Sequence, residues 1–129
     1  MNKYFWSQEE YDILDIYDMF SFYNNYFFEG ELEKCFVGWS ERMTSCAGLC
    51  ENKGDGCCEI KLSSPLLKYR TGNELKETLL HEMIHAYLFV TDPQACMSEG
   101  GHGKEFREMM HNINQITKLE ITVYHNFRD

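Results

Sequence analysis

Apolar residues recur along this chain in two rhythms, a helical one near three and four residues and a strand-like one near two, and the switches between them mark its elements. Ser7-x-x-Glu10 forms a capping box that predicts a first helix running to about Phe27, with Tyr11, Leu14, Tyr17, Phe20, Tyr23 and Phe27 as its core-facing stripe. Gly30 ends that element. Residues 34–41, 45–51 and 57–62 alternate and read as strands, the last two joined by a turn at Gly54-Asp55-Gly56. Ser63 to Tyr69 reads as a short helix opened by Ser-Ser-Pro. Thr71-x-x-Glu74 is a second capping box, followed by a long helix with Leu75, Leu79, Leu80, Met83, Ile84 and Leu88 as apolar positions. A glycine-rich loop, a helix from Lys104 to about Ile116 and a last strand near Glu120–Tyr124 complete the pattern. The expected class is α+β, a small antiparallel-type sheet packed with helices.

Length and charge narrow the picture. At 129 residues the chain reads as one domain with a single core, without linkers or repeats. No apolar run is long enough to span a bilayer and the start does not read as a signal peptide, which predicts an intracellular protein without a membrane partner. The net charge is −9, and residues 1–45 carry most of it, with 3 basic against 9 acidic positions. That balance lacks the basic footprint of a nucleic-acid binder. Lys61, Lys68, Arg70 and Lys76 are too scattered to make one and read as a solvated face. Of the six cysteines, Cys46, Cys50, Cys57 and Cys58 crowd into the predicted hairpin. Four residues of strand separate Cys46 from Cys50 by about 13 Å at ~3.3 Å per residue, and adjacent Cys57 and Cys58 face opposite ways, so reduced thiols are expected there instead of a second zinc site.

The candidate chemistry sits in the long helix, at His81-Glu82-Met83-Ile84-His85. Residues four apart share a helix face, so both imidazoles can bind one Zn²⁺. Glu82 lies about 100° round from His81, placed to reach a water held on the metal without binding the metal itself. A metzincin pattern is excluded, because Leu88 and Thr91 stand where it requires Gly and His. His102, between Gly101 and Gly103, is the preferred third ligand; Glu99, Glu105 and Glu108 are the glutamate alternatives. Three protein ligands leave a fourth position for water, the catalytic pattern. His111 reads as a packed or solvated histidine, while Tyr124 and His125 are auxiliary hydrogen-bond candidates.

Several stretches carry a resemblance. They are Trp39-Ser40-x-Arg42-Met43-Thr44-x-Cys46-Ala47-Gly48-x-Cys50, Ile60-Lys61-Leu62-Ser63-x-Pro65-Leu66-Leu67-Lys68, Glu77 through Thr91, Gly101-His102-Gly103-x-x-Phe106 and Ile121-Thr122-Val123-Tyr124-His125. In that order, over about residues 10–127, they resemble the SprT-like domain of the Spartan metalloproteases. The resemblance implies a compact zincin-like fold and a nuclear, DNA-activated protease acting on proteins crosslinked to DNA. It implies one catalytic Zn²⁺ on His81, His85 and His102, with Glu82 as base. It also makes residues 1–129 one SprT-like domain, without the cysteine-rich DNA-gripping subdomain and tail motifs that follow it in Spartan proteins. The residues themselves leave two other functions open: a non-catalytic, zinc-stabilised interaction module, and a zinc peptidase indifferent to DNA.

Overall fold

The computed structural model describes residues 15–68, 70–96 and 101–124. Its sheet is built on β3 (Cys57–Ser63), which lies between β1 (Phe36–Ser40) and β2 (Gly48–Gly54). β2 and β3 form the expected antiparallel hairpin, pairing Cys50 with Ile60 and Glu51 with Glu59. Gly54, Asp55 and Gly56 all take positive φ at its turn, a conformation that glycine adopts without strain. β1 runs parallel to β3, pairing Val37 with Ile60 and Trp39 with Leu62, so the sheet is mixed rather than antiparallel throughout. Strand alternation sorts its faces: Cys58, Ile60 and Leu62 are fully buried, whereas Glu59 and Lys61 face outward. On that outer face Lys61 pairs with Glu51 at 2.9 Å.

Against the inner face lies α3 (Gly72–Thr91), the helix of the His-Glu-x-x-His pattern. Its start is set locally by the capping box read from sequence: Thr71 Oγ1 accepts from Glu74 N at 3.1 Å, and Thr71 N donates to Glu74 Oε1 at 3.1 Å. Its position is set by burial, since Leu79, Leu80, Met83 and Ile84 are completely enclosed. Each such side chain contributes about 1.5–3 kcal/mol, more than the cap's ~1 kcal/mol, so packing dominates. Lys76 is also fully buried on this helix, which corrects its reading as part of a solvated face.

α1 (Ile16–Phe27) begins at Asp15, whose carboxylate accepts from Tyr17 N at 2.9 Å and Asp18 N at 3.3 Å. The Ser7–Glu10 box, Tyr11 and Leu14 lie outside the described residues. Ile16, Met19, Tyr23 and Asn24 are the buried positions of α1; Tyr17, expected in the core stripe, is 60% exposed. The stripe is therefore rotated by one position at its start, because the aliphatic residues take the deepest places. The turn of α2 (Ser64–Leu67) is capped by Ser63, whose Oγ accepts from Leu66 N at 3.2 Å. After α3, Asp92 opens a further short turn, α4 (Pro93–Cys96), within the stretch expected to be loop.

α5 (Lys104–Thr117) packs on α3 and ends at Lys118, which takes a left-handed conformation. The chain then turns back, and here the expected last strand is absent: residues 120–124 join no sheet. The alternation behind that expectation is real, with Leu119 and Ile121 buried and Val123 half-buried. The Glu120 N–H and both backbone groups of Ile121 are satisfied by side chains of α3 and α5 instead of by a ladder. Among the described residues, no helix is long and apolar enough to cross a membrane.

Candidate metal centre

Halfway along α3, His81, Glu82 and His85 are 3%, 1% and 7% exposed. One helical turn puts both imidazoles on the face toward Phe106 of α5, with ring centroids 5.0 Å apart. His102 arrives from the loop before α5, where Gly101 takes a φ of +88° that lets the chain turn into the site. Its Nε2 lies 3.1 Å from His85 Nε2 and 3.4 Å from His81 Nε2.

These separations test the fit of an ion. A tetrahedral Zn²⁺ with bonds of about 2.0–2.1 Å separates its nitrogens by about 3.3–3.4 Å. His102 Nε2 stands at almost that spacing from each of the other two, and one ligand atom from each ring lies within 4.8 Å of the others, so the donors fit. The tautomer of His81 fits as well. Its Nδ1 is 2.7 Å from the carbonyl oxygen of Thr122, which can only accept, so Nδ1 carries the proton and Nε2 presents its lone pair. Below the three rings lies Phe106 of α5, fully buried, its centroid 5.1, 4.7 and 4.8 Å from those of His81, His85 and His102. That ring closes the floor of the site to water.

Glu82 is held from the sheet side. At Gly48 of β2 a Cβ would lie 2.9 Å from Glu82 Cγ, 2.9 Å from Thr78 Cγ2 and 3.0 Å from Glu82 Oε2, distances that real side chains do not tolerate. Only glycine lets the strand approach the carboxylate this closely. The neighbouring thiols feel the same enclosure. Burial, then Cys58 and Glu82, push the Cys50 thiol far above the ordinary range. Burial chiefly, with Cys35 beside it, pushes Cys58 up to about 12. These cysteines are uncharged, free thiols, as expected.

Among the described residues, His81, His85 and His102 are the one cluster of metal-ligating groups close enough to share an ion. Glu105 and Glu108 are exposed on α5, and His111 is exposed too; Glu99 and His125 lie outside the described residues. Tyr124 is 53% exposed. Sequence reasoning missed the Thr122 carbonyl and Gly48. A lone glycine inside a strand pattern was the available signal for Gly48, since it marks close backbone approach. No side-chain signal exists for a carbonyl.

Two histidines one helical turn apart, a third returning from a glycine-bounded loop and a buried carboxylate beside the first make a candidate metal centre of the His-Glu-x-x-His class. The chain belongs to the SprT-like family, whose model matches residues 16–125. It is 53% identical over 116 residues to the DNA-dependent metalloprotease SPRTN of Homo sapiens, which covers 89% of this chain and 23% of that protein. The DNA-dependent metalloprotease dvc-1 of Caenorhabditis elegans is 49% identical over 119 residues, 89% of this chain and 32% of the relative. A more distant similarity, 32% over 86 residues, links it to the germ cell nuclear acidic-1 protein of the same nematode, covering 67% of this chain and 15% of that one. The chain thus spans less than a third of the length of these relatives.

Proposed function

We propose that this chain is the proteolytic domain of a zinc-dependent endopeptidase that is activated by DNA and cleaves proteins crosslinked to it, in the nucleus. The observation that carries the reading is the convergence of three histidines, with ligand atoms all within 4.8 Å of one another, beside a buried glutamate. The names of the relatives supply the DNA dependence.

His81, His85 and His102 hold the metal in this reading, and His81 is oriented by Thr122. Zn²⁺ held there would supply a bound water of lowered pKa, about 7, and a Lewis acid for the peptide carbonyl. Glu82 accepts the proton of the attacking water and passes it to the departing amine nitrogen, the general acid–base role. Its enclosure between α3 and Gly48 restricts the carboxylate to that position. Phe106 keeps bulk water from the opposite side of the imidazoles.

A purely structural zinc site has no use for a base beside its ligands, so the non-catalytic module is the weaker reading. The test is a cleavage assay of this chain on a DNA-bound protein across a titration of single-stranded DNA, with zinc analysis and a chelator control. Turnover that rises with DNA and vanishes on chelation supports the whole proposal. Turnover indifferent to DNA keeps the peptidase and removes DNA activation. A zinc-loaded, folded chain without turnover at any DNA concentration overturns the assignment of proteolysis to it.

A further inference from the structure

The carbonyl that orients His81 belongs to a segment with no sheet to hold it, and its anchoring points to a residue outside the metal-binding motifs. Asn114, in the third turn of α5, grips Ile121 by both backbone groups: Ile121 N donates to Asn114 Oδ1 at 2.8 Å, and Asn114 Nδ2 donates to Ile121 O at 3.0 Å. One planar amide thereby imitates a neighbouring strand, using the donor and acceptor that only Asn and Gln carry together in that fork. Glu120 N donates to Glu77 Oε2 at 2.7 Å, tying the same segment to α3. Leu119 N donates to Thr117 Oγ1 at 3.2 Å, and the side chains of Leu119 and Ile121 are buried. The next residue is Thr122, whose carbonyl accepts from His81 Nδ1 at 2.7 Å.

We infer that Asn114 is a positioning residue for the metal centre, acting through Ile121 and the Thr122 carbonyl to fix the tautomer and ring orientation of His81. The inference rests on His81 being a metal ligand. A buried backbone segment needs partners for its N–H and C=O groups, but one of the two Asn114 bonds would satisfy that need only in part. Holding both groups of Ile121 fixes the peptide planes on either side of its Cα, and the Thr122 oxygen lies in the very next plane, one residue's backbone torsions away. Partners of this outer kind raise the basicity of the ligand and typically contribute about 10–100-fold to metal affinity.

The experiment measures zinc affinity by chelator competition for the chain and five variants, at a temperature well below each unfolding midpoint. Asn114→Asp keeps the acceptor for Ile121 N but sets a carboxylate against Ile121 O. Asn114→Ser shortens the group to a hydroxyl without adding charge, and serves if the aspartate variant does not fold. Asn112→Asp, at an exposed position of the same helix, controls for the added charge. The expected result is about 10–100-fold weaker zinc binding for the Asn114 variants, with Asn112→Asp unchanged. Nitrogen NMR of the metal-free chain should show His81 losing its fixed Nδ1–H tautomer in the Asn114 variants alone. In a His81→Ala background, substituting Asn114 should have no further effect on zinc binding. Unchanged affinity in both Asn114 variants, or an equal loss with Asn112→Asp, overturns the inference. Unchanged affinity in His81→Ala overturns the ligand assignment beneath it.

Discussion

Helix α3 and the segment from Gly101 to Tyr124 both contribute to the candidate metal centre, but the sequence specifies them by different physics. In α3, His81 and His85 share a face because four residues make slightly more than one turn, and a capping box and enclosed leucines hold the helix in place. Nothing distant is needed to bring those two rings together. In the second region, His102 and Phe106 are near neighbours, but both lie far along the chain from His81 and His85, and the Thr122 carbonyl comes 16 residues after Phe106. They meet through helix packing and through side-chain bonds from Glu77 and Asn114 to a bare backbone. In the proposed centre a locally specified half would give the ligand pair and base; a tertiary half would complete the coordination and orient what the first half supplies.

The sharpest break between chemistry and coordination is within α3 itself. Glu82→Gln removes the base while preserving shape, so cleavage should fall by about 10²–10⁴-fold with zinc content unchanged. Metal analysis beside a peptide-release assay checks both halves of that statement, and loss of zinc would make Glu82 structural. In the other region, His102→Ala should cost more zinc affinity than the about 10–100-fold typical of an outer partner, because a ligand is deleted. Retained affinity would hand the third position to a different donor and undo the comparison. Gly48→Ala probes how closely the sheet approaches α3. Its methyl would displace Glu82 and Thr78, and a misplacement of about 1 Å can cost up to about 10²-fold in turnover. The expected signature is a lower kcat with KM and zinc affinity unchanged. A Thr78→Ala partner substitution that restored kcat would locate the effect in packing instead of at Glu82.

The same contrast explains what could be read in advance. Periodicity and caps gave α3, α5 and the hairpin within a few residues, since those depend on near neighbours in the chain. The pair on α3 and the glycine-flanked His102 stood out for the same reason. Alternation at Leu119, Ile121 and Val123 was correctly present yet misread, because a pattern of buried side chains does not say what partners the backbone finds. Asn114 offers both a donor and an acceptor, and that made a strand unnecessary. The parallel pairing of β1 was equally invisible, as register across a sheet depends on connections that no local rhythm records.

The smallest expected effect sharpens the comparison from the other side. Thr71 sits ten residues before His81, at the exposed start of α3, and its hydroxyl serves only to receive Glu74 N and contact the Glu74 carboxylate. Thr71→Ala should lower stability by about 1 kcal/mol, a fall of roughly 2–6 °C in Tm, and Thr71→Ser should restore most of it. Zinc affinity measured below the transition should not change. The buried leucines hold the middle of the helix, each by more than the cap contributes, so fraying at the first turn is not transmitted to His81. Asn114, on a different helix, is expected to behave in the opposite manner, with affinity lost while the fold persists. If Thr71→Ala weakened zinc binding as Asn114→Ser does, both would act through global stability, and the division of the site into a local and a tertiary half would fail.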